Sequence, residues 1–222
     1  MLRLVFIFVL LLPLYTQAAN PQVLIKTNLG DILVELYEQE APVTVANFLQ
    51  LVESEAYKDT IFHRVIAGFM IQTGGHYLDL SEAPEVEPIF NEAANGLKNR
   101  RGTLAMARQN RIDSASRQFF INVDNNGYLD HHPKKSCTRE DEAAVLAARE
   151  KGLRKPMRCK SFGYAVFGEV IEGMDVVDLI ELSETQSVSG FDDVPVTPVI
   201  ILSTERVEQS DIVVDNREED AE

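Results

Sequence analysis

The residues able to do chemistry are few, and they cluster in short runs. Arg64 follows His63 inside the stretch from Phe62 to Gly75, with Phe69, Met70 and Gln72 close behind. Gln118 precedes the aromatic pair Phe119-Phe120, and His131, His132, Cys137 and Cys159 lie in one later region. An arginine stays protonated at any working pH, so it serves as a fixed, forked hydrogen-bond donor and not as a proton carrier. Taken singly, these residues also have plain readings. Arg64 is a surface charge, His63 a packed or hydrogen-bonded histidine, and Phe69, Met70, Phe119 and Phe120 ordinary core. Strand alternation sends Phe119 and Phe120 to opposite faces. Hydrolytic chemistry finds little support, since there is no Gly-x-Ser-x-Gly elbow, no His-Glu-x-x-His and no phosphate-binding glycine loop.

The elements that must position these residues are mostly short strands. Val23–Thr27, a turn at Asn28–Asp31, and Ile32–Tyr37 read as an opening hairpin. Pro42 marks a helix start, and Val45, Phe48, Leu49 and Val52 then give one apolar helical face. β-like runs recur at Ile61–Ile66, Phe69–Thr73, Thr103–Arg108, Gln118–Val123, Tyr164–Val170 and Val199–Val207. Such a pattern predicts a mainly β barrel or sandwich. A second amphipathic helix fits Met174–Ser183, with Gly173 at its start.

The chain has 222 residues, 45% of them apolar and 25% charged, a composition that fits one globular domain and excludes collagen-like or wholly disordered chains. A net charge of −14 argues against nucleic-acid backbone binding. Residues 1–18 read as a secretory signal peptide: Arg3, an apolar run of about twelve residues broken by Pro13, then Ala18-Ala19. That run falls short of the ~20 residues a spanning helix needs, so no stable membrane anchor is expected. The expected organisation is therefore a signal at 1–18, a domain at 19–207 and an acidic tail at 208–222.

Residues 133–160 stand apart, with nine basic residues against four acidic ones. Thr138 and Asp141 form a capping pattern, and Gly152 sits where a helix would stop, so a short exposed helix is expected there. Cys137 and Cys159 bracket it. In an exported chain a disulfide is the first reading, worth on the order of 3 kcal/mol. A zinc site with His131 and His132, or two free thiols, are the alternatives.

Four blocks then carry a resemblance: Phe62–Gly75, Gly102–Arg108, Gln118–Asn122 and Phe162–Val170. In this order they are similar to the signature regions of cyclophilin-type peptidyl-prolyl cis-trans isomerases, over about Val23 to Val207 outside most of 133–160. The compact opening and the export signal most resemble the periplasmic bacterial members. The resemblance implies a closed eight-stranded antiparallel β-barrel capped by two helices, with the basic segment as a helical insert. It also implies catalysis of X-Pro isomerisation without a cofactor or metal, on proline-containing unfolded or exported polypeptides in the periplasm, by a monomer.

By the same resemblance, Arg64, Gln72 and Phe120 are catalytic. Phe69, Met70, Phe120 and Leu129 form the proline slot, Gln72 and the backbone of Met106 hold the substrate's carbonyl and amide groups, Ala105, Ala107 and Gln118 line the neighbouring groove, and Tyr128 and Tyr164 complete the substrate-binding set. Met106 takes the place of a frequent asparagine, Tyr128 of a tryptophan common in eukaryotic members, and Tyr164 of a histidine. Weak binding of cyclosporin-type macrocycles is expected from the last two. Arg117 replaces a small residue. The insert, following Leu129, is expected at the groove's rim, with its positive face selecting partners. A proline-binding module without catalysis is the competing reading, which an intact Arg64 disfavours.

Overall fold

The computed structural model describes residues 19–153 and 162–207. The expected signal peptide, the acidic tail and Cys159 lie outside them. Eight strands make one antiparallel sheet: β1 (Gln22–Thr27), β2 (Gly30–Leu36), β3 (Arg64–Ile66), β4 (Met70–Thr73), β5 (Thr103–Met106), β6 (Phe119–Asn122), β7 (Val166–Glu172) and β10 (Ile201–Val207). Their order is β10-β1-β2-β7-β5-β6-β4-β3. The outer members do not pair as a ladder. The chain ahead of each closes the gap instead, through an isolated Ile61–Ile200 bridge and the bonds Phe62 N to Val199 O, 2.9 Å, and Ile201 N to Thr60 O, 2.8 Å.

Alternation along the strands builds the interior. Val23, Ile25, Ile32, Val34 and Leu36 from the opening hairpin join Ile71, Leu104, Phe119, Ile121 and Phe167 in one buried cluster. Helix α1 (Pro42–Glu53) adds Val45, Phe48, Leu49, Leu51 and Val52, so the predicted apolar face is the buried one. Phe48 lies edge-on to Phe119 at 5.3 Å and close to Tyr57 and Phe167. The first amides of α1 lack a local side-chain cap, and a distant carboxylate replaces it: Glu92 accepts from Val43 N at 3.1 Å and Thr44 N at 2.8 Å.

Helix α3 (Met174–Glu181) inserts Val176, Val177 and Ile180 into the same cluster. Gly173 precedes it at φ +86, and a Cβ there would lie 2.3 Å from the carbonyl oxygen of Asp31, so turn and close approach both require glycine. Between α3 and β10 the chain forms a hairpin that the sequence pattern did not single out, β8 (Thr185–Val188) with β9 (Phe191–Pro195), and β9 lies against β3.

The insert carries helix α2 (Arg139–Glu150). Its start is the expected reciprocal cap, with Thr138 N donating to Asp141 Oδ2 at 3.0 Å and Asp141 N to Thr138 Oγ1 at 3.1 Å. The helix is less exposed than expected. Glu142 and Val145 are buried on one face of it.

Candidate active site

The face of the sheet opposite the core holds a second, smaller cluster. Met70, Ala105, Phe120 and Val166 are buried in it, with Ile66, Phe69, Leu97, Ala107, Leu129 and Tyr164 packed partly exposed around them. Register aligns its members. Arg64 pairs with Gln72, Gln72 with Phe120, Phe120 with Ala105, and Ala105 with Val166, so one row crosses five strands. The cation stands at the β3 end of that row and the apolar floor in its middle. The rim is aromatic: Tyr164 is 5.8 Å from Phe120, and Tyr128, 70% exposed, lies 5.8 Å from Phe69. Asn126 Nδ2 and the amide of Val123 both donate to the Phe69 carbonyl, at 2.7 and 3.1 Å, and tie the rim loop to the strands.

Polar contacts fix the charged end. Arg64 Nη1 donates to Gln72 Oε1 at 3.5 Å, and Gln72 Nε2 donates to Gln118 Oε1 at 2.8 Å. On its other side Arg64 Nε faces Asp193 Oδ2 of β9 at 3.8 Å. Gly75 leaves room for Gln118, because a Cβ there would lie 2.3 Å from Gln118 Nε2. Beyond Gln118 opens a cavity of about 580 Å³, lined also by Glu82, Glu85, Arg111, Asp113 and Ser114. His63 sits behind Arg64, buried, 4.5 Å from the His76 ring. Burial first, and the neighbouring His76 second, lower its pKa from 6.5 to about 4, so it is a neutral packing residue at neutral pH.

The site therefore combines an apolar floor with a permanently charged donor at one edge. The family described as "Cyclophilin type peptidyl-prolyl cis-trans isomerase/CLD" matches residues 22–206. The chain belongs to this family. It is 41% identical to peptidyl-prolyl cis-trans isomerase A of Dickeya dadantii over 89% of this chain and 90% of that one. It is 44% identical to peptidyl-prolyl cis-trans isomerase B of Escherichia coli over 80% and 94% respectively. Among solved structures, a Cryptosporidium parvum cyclophilin-type isomerase crystallised in the presence of the dipeptide Ala-Pro aligns with a TM-score of 0.61 at 25% identity. That alignment covers 85% of this chain and 99% of the other. The protein is a peptidyl-prolyl cis-trans isomerase with the cyclophilin fold.

Most of the residues expected to build the cyclophilin groove come together: Arg64, Phe69, Met70, Gln72, Ala105, Ala107, Gln118, Phe120, Tyr128, Leu129 and Tyr164. Met106 does not. It is 1% exposed, its side chain lies in the barrel core, and its amide is spent on Ala165 O at 3.0 Å. Period-two alternation along β5 gives the reason: with Ala105 on the groove face, Met106 must point inward and Ala107 outward again. The expected contact of Met106 with substrate was a backbone one, and of that backbone the amide is already bonded to Ala165 O.

Two residues near the groove went unnoticed in the sequence. Asp193 rides on the β8–β9 hairpin. Arg108 stacks over Tyr164, its guanidinium carbon 4.7 Å from the ring centroid, and Nε donates to Gly163 O at 2.9 Å. A local signal existed for the hairpin. Ser189-Gly190, both at positive φ, link the paired Val188 and Phe191 as a two-residue turn. Arg117, whose effect the sequence left open, is a buried tie: Nε donates to Gly74 O and Nη1 to Pro84 O, both at 2.7 Å. Cys137 is buried against Ala93, Ile112, Phe162 and Ala165. His131 Nδ1 is 2.7 Å from the Phe162 carbonyl. The expected partner Cys159 is outside the described residues, as is that member of the alternative zinc set. Among the described residues no helix is long and apolar enough to cross a membrane.

Proposed function

We propose that the chain accelerates X-Pro isomerisation in exported polypeptides by stabilising the twisted amide with Arg64. Rotation about a peptide bond meets a barrier of about 18–20 kcal/mol because it breaks amide resonance. In the twisted state the proline nitrogen regains a lone pair and becomes an acceptor. A cation aimed at that nitrogen favours the transition state over both planar ground states, and no bond is made or broken. The observation that carries this reading is the register row that sets Arg64 and Gln72 beside Phe120, with Met70 and Phe69 completing an apolar slot. The slot holds the proline ring, Gln72 orients Arg64 and a substrate carbonyl, and Gln118 together with Ala107 borders the flanking peptide. The Ala-Pro dipeptide named with the Cryptosporidium relative is of the ligand class that such a slot accepts.

The same proposal takes residues 1–18 as a removable export signal, the periplasm as the compartment, proline-containing unfolded chains as clients, and the protein as a monomer. It also takes Cys137 and Cys159 as a disulfide closing the insert, which oxidising surroundings favour. The test is the cis-to-trans rate of a proline peptide with wild type and Arg64→Ala. A wild-type rate at least about a hundred-fold above the variant is expected, the scale of one lost transition-state donor. Equal rates refute the role of Arg64. Peptide bound without rate enhancement by either protein would leave a proline-binding module.

A further inference from the structure

The insert was expected to turn a positive face outward, yet its first helical residue is spent inward. Arg139 Nε donates to Asp113 Oδ2 at 2.9 Å and Nη2 to Asp113 Oδ1 at 2.7 Å, a bidentate pair. Nη2 also donates to Asn91 O at 3.1 Å, and the guanidinium lies 3.6 Å from the centre of the Phe90 ring. One turn later Glu142, 8% exposed, accepts the Ile112 amide at 2.8 Å, and Val145 is buried on the same face. Asp113 is held from behind as well, accepting from Asn91 N at 2.8 Å. Its carboxyl lies below the usual carboxylate range, chiefly because Arg139 hydrogen-bonds it.

The stretch these contacts seize is the wall of the groove's neighbouring cavity. Gln109, Arg111, Asp113, Ser114 and Ser116 line it, and Gln118 joins it to Gln72 and Arg64. Between β5 and β6 this stretch belongs to no strand or helix, so the sheet ladders leave its shape undetermined. One backbone bridge, Ile89 N to Ala115 O at 2.8 Å, and several side-chain anchors decide it. From the core side come Tyr57 Oη, donating to Arg117 O at 3.0 Å, and Asn47 Nδ2, donating to Ser116 O at 2.7 Å. Asn91 Nδ2 donates to Ile112 O at 3.2 Å, and from the insert the anchors are Arg139 and Glu142.

We infer that α2 of the basic insert is a specificity-determining strut: Arg139 and Glu142 are positioning residues that fix the Gln109–Ser116 wall, and through it the acceptance of peptide residues flanking the proline. This rests on the isomerase reading of the Arg64 row and extends it to the surroundings of the reacting bond. Neither residue touches the proline slot. Their loss changes the recognition of extended chains and leaves the chemistry at the X-Pro bond alone.

The experiment compares full-length wild type, Arg139→Ala, Arg139→Lys and Glu142→Ala on two substrates. One is a short proline peptide confined to the slot, the other a longer peptide with the same X-Pro bond extended on both sides. KM for the longer peptide is expected to rise roughly three- to ten-fold in both alanine variants, with kcat unchanged, and short-peptide kcat/KM to stay within about two-fold. Arg139→Lys, which keeps the charge but loses the fork, restores part of the difference. Calorimetric Kd values for the longer peptide should move by the same factor and need no turnover. Equal losses on both peptides, or a lowered melting temperature with neither peptide affected, would overturn the strut and leave α2 a structural helix. Should one variant fail to fold, the other tests an independent contact on the same wall. Failure of the isomerase reading looks different: wild type would be no faster than Arg64→Ala on the short peptide, while the Kd comparison still decides the strut.

Discussion

His63 gives the sharpest quantitative expectation, because its burial converts directly into a pH dependence of stability. Its ring is buried, its Nδ1 has no hydrogen-bond partner among the described residues, and its pKa falls from 6.5 to about 4. Between those values the unfolded chain binds a proton that the folded chain refuses. Stability from this group is therefore complete above about pH 6.5, declines as pH falls, and is lost once pH passes the folded value. A displacement from 6.5 to about 4 corresponds to about 3 kcal/mol, acquired at no more than ~1.4 kcal/mol per pH unit. The assay is urea unfolding of wild type and His63→Gln at several pH values from about 7.5 down to 4. Carboxylates titrate in both proteins, so the difference between the two curves isolates His63. The variant starts less stable near neutrality, and its deficit shrinks as pH drops. A deficit constant across the range, or a His63 ring resonance titrating near 6.5 in the folded protein, would refute the reasoning. Since isomerisation moves no proton, kcat/KM should meanwhile show no ionisation of His63 near neutrality.

Two further perturbations probe the charged edge of the groove. Arg64 and Asp193 are 41% and 40% exposed, so their attraction is worth about 0.2–1 kcal/mol; Asp193→Asn should lower kcat/KM by up to roughly five-fold in dilute buffer, a gap that closes at about 0.5 M salt, and an unchanged value at low salt would show that the carboxylate does not orient Arg64. In Gly75→Ala the new Cβ would sit 2.3 Å from Gln118 Nε2 and 2.4 Å from Cδ, so the side chain must swing away from Gln72. Activity should drop about ten-fold with little change in melting temperature, since only a flexible side chain gives way, and wild-type kcat/KM in this variant would sink the proposed part of Gln118.

What the sequence made legible follows from how local each signal is. The α1 face, the opening hairpin and the Thr138–Asp141 cap rest on spacings within one or two turns, and all appear where their patterns put them. The closure of the sheet was beyond local reading, because it depends on Thr60–Phe62 meeting Val199–Ile201 across most of the chain. The β8–β9 hairpin was missed because Thr185–Val188 is polar and mostly exposed, lacking the apolar alternation that announces a strand. Asp193 went with it: a single acid in an acidic chain has no pattern of its own, and only the fold brings it to Arg64.

On β5 the side-chain directions were legible in the sequence. A period of two turns Ala105 and Ala107 outward and Met106 inward, so a groove contact of Met106 is one of its backbone. The same period divides β4, β5, β6 and β7 between core and groove. Ile71, Leu104, Phe119 and Phe167 fill the barrel, while their immediate neighbours Met70, Ala105, Phe120 and Val166 floor the site. Each of these four strands thus carries barrel core and groove floor on adjacent residues. A one-residue register slip in β6 would exchange Phe119 for Phe120 and spoil both at once. Helices α1 and α3 bear on stability through the inner set, whereas the rim loops and the insert, with its helix α2, obey no such period and add nothing to that set.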